Sequence, residues 1–472
     1  MMSSFRSRTL FASLAVVAFH ALHAAAADDF GSAEPFKAGD TVCYVGDSIT
    51  HGGWYHAMID LFYATRFPDR PLQTWNCGFG GDRAAGIMGD EKFRLNQDIL
   101  GHHPTVATIM LGMNDIGHSD YGPDKTGPEV EQRRRASLET YDAKMKLLIE
   151  ALEKSGSRVI LITPSIYDET TKLATAKPDV GPGRRAALSE CAHQMEAWSK
   201  EYHTGLVRVQ ETMNAITARE QANDPAFTLI GPDRVHPGSP GHFVMAYVFL
   251  RAQGMPQEVA RIVVDAHTAQ SIGANRCEIN HIKASPGAVE FDCLEKSLPF
   301  VPPNDAKPAL ALVPFQQELN QESLKIAGLA EGRYTLAIDG QAVGEYPAAE
   351  LAAGINLAEN EKTPQYKQSA AATKLYVGRT DAARGVRAIA AYYYTISRSH
   401  TDVADRAAFE KKLVPLLEEA KAKNKKADAD AAEALLGNPD ELAKRQAQFQ
   451  EATAALLKAC QPVSHHFAIT RR

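Results

Sequence analysis

The chain reads as an α/β protein with an open parallel sheet over about residues 28–254, followed by a β-rich segment at 255–363 and a helical region at 364–472. Three observations carry this. From Phe36 to about Gly254, strand-length apolar runs almost free of charge alternate with longer helix-patterned segments, the pattern of a parallel sheet covered on both faces by helices. Beyond 254 the runs shorten and become punctuated by turns. From Pro364 to Cys460 the composition turns to Ala, Lys and Glu at helical spacing.

The apolar runs are Val42 to Val45, Leu72 to Asn76, Val106 to Leu111, Val159 to Thr163 and Leu206 to Val209. Helices are expected between them at about Trp54 to Phe67, Asp82 to Leu100, Glu129 to Ser155, Arg184 to His203 and Glu211 to Asn223. In the third, Leu138, Tyr141, Met145, Leu148 and Leu152 recur every three or four residues as a core-facing stripe, while Arg133-Arg134-Arg135 reads as a solvated face. Ser239 as N-cap and Pro240 at the first helical position open a further helix to about Leu250. In the β-rich segment the runs are Ala288 to Phe291, Ser323 to Ile326 and Tyr334 to Ile338, the last closed by an Asp339-Gly340 hairpin turn. Pro299 to Pro308 reads as a linker or edge loop, and Gly437-Asn438-Pro439-Asp440 as a helix-helix turn.

The first 27 residues stand apart. Arg6 and Arg8 precede the apolar run Leu10 to Leu22, which ends in Ala25-Ala26-Ala27, the pattern of a signal peptide. A secreted or periplasmic protein is therefore expected, and the run is too short for a membrane anchor. Removing it leaves 49 basic against 57 acidic residues, a formal charge of −8. That acidic balance argues against nucleic acid or anionic membrane as a partner. Six cysteines are too few for a disulfide scaffold, although export permits bridges. Cys277 and Cys293, flanking a Ser285-Pro286-Gly287 turn, are the expected pair. Cys43 reads as a small buried hydrophobe.

Four short motifs carry chemistry. In Gly46-Asp47-Ser48-Ile49 the serine ends the first strand and opens a helix, at the sheet edge where α/β proteins place ligands. Alone, such a serine reads as a cap or turn residue before it reads as a nucleophile. Asn76-Cys77-Gly78-Phe79-Gly80-Gly81-Asp82 follows the second strand, and its glycines permit a tight turn with N–H groups facing outward. Gly112-Met113-Asn114-Asp115 places a side-chain amide at the same edge. Asp233-Arg234-Val235-His236 supplies a base beside an acid able to hold its ring in one tautomer. His51 and His118 adjoin the first and third motifs and read as hydrogen-bonded structural histidines ahead of pocket lining, while Trp54 and Tyr55 fit an apolar wall beside Ser48 and the core equally well. His465-His466 receives no function.

Together the four motifs resemble those of the SGNH hydrolases, the GDSL esterase/lipase family, over about residues 36–252. Ser48, Gly81, Asn114 and Asp233 with His236 match the family's blocks in chain order. The first block reads Gly-Asp-Ser-Ile where the family name gives Leu, and Gly80 fits the second block's turn as well as Gly81 does.

The resemblance implies a three-layer α/β/α, flavodoxin-like domain and ester hydrolysis through an acyl-serine. Ser48 is then the nucleophile, His236 the base and Asp233 its orienting acid. Ser48, Gly81 and Asn114 form the oxyanion hole. It implies no cofactor and no metal, and the chain shows no His-Glu-x-x-His spacing. The expected substrate is a small-molecule or polysaccharide ester, with acetyl esters of carbohydrates preferred because the loops after the third and fourth strands are polar. A lipase or lysophospholipase-like acylhydrolase is one alternative. A non-catalytic carbohydrate-binding protein on the same fold is another. Neither nucleic acid nor stable membrane insertion is expected, and oligomeric state is left open.

Overall fold

The computed structural model describes residues 30–178 and 183–472. The expected signal peptide at 1–27 lies outside the described residues. Strands β1 (Gly31–Ser32), β2 (Thr41–Gly46), β3 (Gln73–Gly78), β4 (Val106–Met110), β5 (Arg158–Ile162) and β6 (Gly205–Val207) form one sheet, in the order β1-β6-β5-β4-β2-β3. Every neighbouring pair is parallel except β1 with β6. Leaving aside the short β1, this is the doubly wound flavodoxin-like order, in which the chain reverses direction between β2 and β4 and opens a crevice beyond their carboxyl ends. Val42, Cys43, Tyr44 and Val45 of β2 are fully buried, as a central strand covered on both faces requires.

Four of the five expected helices form nearly as drawn, at Trp54–Arg66, Pro128–Lys154, Arg184–Glu201 and Val209–Gln221. The segment Asp82 to Leu100 does not. It breaks into a turn of helix at Ala84–Ile87, a π-helical turn at Glu91–Leu95 and a 3₁₀ turn at Leu100–His102. The cause is tertiary: Arg94 points inward, its Nε 3.0 Å from Asp82, Nη1 2.7 Å from Asp98, and Nη2 donating to the Cys77 carbonyl at 2.6 Å. A regular helix does not deliver all three bonds, and a buried guanidinium without partners costs several kcal/mol. The later helix starts at Ser239 with Gly238 as its N-cap, so Ser239 is not the cap; its hydroxyl is buried without a partner.

Beyond Gly254, β7 (Glu258–Asp265), β8 (Gln270–Asn275), β9 (Cys277–Ser285), β10 (Ala288–Glu295), β11 (Gln321–Ala327), β12 (Arg333–Ile338), β13 (Gln341–Pro347) and β14 (Ile355–Asn356) build two smaller sheets. One runs β14-β11-β7-β8. The other runs β13-β12-β15-β10-β9, where β15 (Ser464–Arg471) is the chain's last element. The region 364–472, expected to be helical, therefore ends in a strand seated between β12 and β10. Residues 465, 467 and 469 turn inward with period two, and the adjacent His465 and His466 point to opposite faces, onto Asp339 and Asp292. Asp339-Gly340 makes the expected hairpin turn.

The β9-β10 hairpin forms, yet Cys277 and Cys293 are free thiols. In its register Cys277 opposes Glu295 and Cys293 opposes Ile279, so the cysteines are diagonal neighbours. Across this diagonal the two thiols hydrogen-bond each other and form no bridge.

Helices Pro364–Ser397, Arg406–Ala422, Lys426–Gly437 and Glu441–Ala459 make up the helical region, with the expected turn at 438–440. Pro364–Ser397 lies along the parallel-sheet layer. Its buried arginines reach across, Arg379 to Asp60 at 3.0 Å and Arg387 to Asp98 at 2.7 Å, while Arg384 donates to the Gly52 carbonyl.

Candidate active site

Ser48 opens the short helix Ser48–His51 directly after β2. The buried Asp47 caps that helix, accepting the Ile49 N–H at 2.9 Å. Burial pushes Asp47 up to about 7, against the opposing pull of the Ile49 amide and His236. Space at this edge is tight: a Cβ on Gly78 would lie 2.2 Å from the His51 nitrogen, so only glycine lets β3 pass so close to the serine helix.

Ser48 Oγ lies 2.7 Å from His236 Nε2, and His236 Nδ1 lies 2.6 Å from Asp233 Oδ2. The other carboxylate oxygen, Oδ1, accepts the N–H groups of Val235 and His236, both at 3.0 Å. Partial burial pushes Asp233 up, but the amide and ring hydrogen bonds outweigh it and hold the carboxyl below the usual range. Asp233 is therefore ionised, and the ring facing it carries its proton on Nδ1, leaving Nε2 to accept from the serine.

Residues the sequence reading passed over hold this loop in place. Arg234 is buried in the left-handed region at φ 67, its Nη1 bonded to the Asp168 carbonyl and its Nε to the Lys177 carbonyl, both at 2.7 Å. Residue type gave no sign of this, since an arginine in a Pro- and Gly-rich loop is ordinarily exposed.

The glycine turn is ordered by its neighbours. Gly80 donates its N–H to Nδ1 of His51 at 3.1 Å, whereas the N–H of Gly81, a residue at φ 76, has no acceptor among the described residues. Burial, with Arg387 and Arg94 nearby, lowers His51 to about 4, so its ring is neutral and free to accept. Asn114 donates one amide hydrogen to the Asp82 carbonyl at 3.1 Å and retains the other. Asp115 ties two loops together, accepting from Gly112 N–H at 3.0 Å and Ala84 N–H at 2.8 Å, and burial raises it to about 7.

The remaining neighbours play other parts. Tyr55 is core, its hydroxyl on Thr50, while Trp54 lies under the Arg384 guanidinium at 3.7 Å. His118 sits in a 3₁₀ turn beyond Asn114, lowered to about 4 mainly by burial. Among the described residues no three His, Cys, Asp or Glu side chains are grouped to hold a metal ion. Nor is any helix of the described residues long and apolar enough to cross a membrane.

A serine hydroxyl, a histidine and a carboxylate in hydrogen-bonded series can raise the nucleophilicity of the hydroxyl, and unpaired N–H groups beside it can hold a developing oxyanion. Comparison with known proteins points the same way. Residues 44–243 match the GDSL-like lipase/acylhydrolase family. An acetylxylan esterase of Geobacillus stearothermophilus is 23% identical over 232 residues, spanning 46% of this chain and 95% of that protein. The structure of a gut microbial diltiazem-metabolizing enzyme superposes with a TM-score of 0.83 at 30% identity, over 94% of this chain and 100% of that one. The second likeness takes in the β-rich and helical regions as well.

Proposed function

The chain belongs to the GDSL-like lipase/acylhydrolase (SGNH) family of ester hydrolases, and from that premise we propose that it is an exported serine esterase removing acetyl groups from carbohydrate hydroxyls through an acyl-Ser48 intermediate. The observation that carries the reading is the continuous series Ser48 Oγ, His236, Asp233, at 2.7 and 2.6 Å. Ser48 Oγ attacks the ester carbonyl as its proton passes to His236 Nε2. Asp233 keeps the ring oriented and stabilises the imidazolium. The oxyanion is received by the N–H groups of Ser48 and Gly81 and the free amide hydrogen of Asn114, each donor worth ~3 kcal/mol. Imidazolium returns its proton to the departing alkoxide, and the alcohol leaves. Water then attacks the acyl-serine with His236 again as base, regenerating Ser48 and releasing the acid.

Acetyl is favoured over longer acyl groups by the loops at this edge, where 115–127 is rich in Gly, Asp, His, Ser and Pro. A long chain needs apolar surface, about 0.8 kcal/mol per buried methylene, which such loops lack. The resemblance to an acetylxylan esterase supports the same choice. Export rests on residues 1–27. Rates across aryl esters of increasing acyl length, with acetylated xylooligosaccharides alongside, test the reading. A kcat/KM that falls from acetyl to octanoyl, with turnover of the oligosaccharides, is expected; a steady rise with chain length and no oligosaccharide turnover would overturn it in favour of a lipase.

A further inference from the structure

Beside the glycine turn lies a cavity of about 250 Å³ whose far wall is not part of the parallel-sheet layer at all. One side is His51, Phe79 and Gly80. The other is made by Ala388, Ala391 and Tyr392 of helix Pro364–Ser397, Leu416 and Ala420 of helix Arg406–Ala422, and charged groups around the turn that follows. His51 is one helical turn from Ser48, and Gly80 is the immediate neighbour of Gly81. The cavity therefore begins one residue from the proposed oxyanion donor.

We infer that this cavity is the subsite for the alcohol side of the ester, and that it takes one uncharged pyranose-type ring of the carbohydrate carrying the acyl group. The inference rests on the esterase reading above. Size suits something larger than the acetyl group, since about 250 Å³ is room for several waters, more than a methyl and a carbonyl fill. Charge excludes an ionic ligand. Glu419 and Asp428 at the rim are matched by Lys423, paired with Glu419, and Lys425, 3.8 Å from Asp428.

The chemistry of the walls suits a sugar ring. Phe79, Ala388, Ala391, Leu416 and Ala420 offer an apolar surface to the C–H face of a ring. His51 offers a donor: Nδ1 accepts the Gly80 amide, so the neutral ring carries its hydrogen on Nε2, which has no protein partner among the described residues. The walls are fixed before a ligand arrives. Tyr392 is anchored by its hydroxyl to the Asp428 carbonyl at 2.9 Å, and Phe79 packs edge-on against Tyr394 at 4.4 Å. Tyr394 in turn bonds Asp82, whose carbonyl holds Asn114. The helical region thus both completes the subsite and braces the oxyanion loops.

Filling the cavity tests this. Ala391→Phe and, at the exposed rim, Thr395→Trp are assayed on acetylated xylotriose and on ethyl acetate, which has no ring. The expected result is a tenfold or larger fall in the ratio of the two kcat/KM values, carried by KM on the oligosaccharide. If wild type turns over the oligosaccharide and both variants keep its ratio, the subsite is overturned and the esterase reading stands. If wild type hydrolyses ethyl acetate but not acetylated xylotriose, the carbohydrate assignment and the sugar subsite fall together.

Discussion

Gly80 N–H donates to His51 Nδ1 at 3.1 Å, and this bond leaves Gly81 as the glycine of the turn whose N–H is free for the proposed oxyanion. With Gly80 committed, Gly81 alone presents an unpaired N–H. On the proposed mechanism the histidine is a positioning residue, acting through the loop. His51→Phe removes the acceptor and is expected to lower kcat on ethyl acetate by about tenfold, less than the ~10²-fold or more of losing an oxyanion donor outright, because Gly81 is displaced and not removed. His51→Asn restores an acceptor near the place of Nδ1 and should recover most of that kcat. Equal impairment in both variants would show that the ring, and not its hydrogen bond, matters.

Ser48→Ala should abolish ester hydrolysis while leaving the fold intact, since a half-buried turn hydroxyl contributes little packing. The residual rate is expected to be lower by roughly 10⁴ or more. Turnover above a trace in the pure variant, with unchanged circular dichroism, would remove Ser48 as the nucleophile.

Asn114→Ala should act on the transition state more than on bound ester, cutting kcat by about 10² to 10³ with little change in KM. A loss confined to KM would assign the amide to substrate binding.

The strand ends and the four motifs were legible because each depends on local chemistry: a glycine where backbone passes close, an Asp that caps, an Asp that accepts the N–H of the histidine three residues on. Gly78 against the His51 nitrogen is such a case. What escaped was long range. Arg94 looks like an exposed helix residue in sequence, and only its burial against Asp82, Asp98 and the Cys77 carbonyl breaks the expected helix at 82–100. Arg379 and Arg387 likewise carry no local mark within the Ala-, Lys- and Glu-rich region, yet they are buried in ion pairs with Asp60 and Asp98. Strand β15 left a fainter trace, the alternation of His465, Phe467 and Ile469, hidden behind four helices and paired to strands more than a hundred residues earlier. Gly80 and Gly81 were indistinguishable by residue type, since what separates them is a bond to His51, 29 residues upstream at the end of the serine helix.

Asp47 sets a pH dependence of stability at the site itself. Its carboxyl is buried beneath Ser48, and that burial raises its pKa from an ordinary 3.8 to about 7. A carboxyl whose folded pKa lies above the unfolded value binds its proton more tightly in the folded state. Its contribution to stability is therefore complete below about pH 4 and is lost as pH rises through about 7. Asn at this position keeps an oxygen to accept the Ile49 N–H and cannot ionise. Asp47→Asn should accordingly differ least from wild type at the acid end, near pH 4, and gain on it toward pH 8, by at most ~4 kcal/mol for a shift of about three units. Urea midpoints of the two proteins at pH 4.5, 6 and 8 measure the difference. A gap that stayed constant across that range would mean that Asp47 is ionised throughout, held by the Ile49 amide and His236 more strongly than burial opposes it.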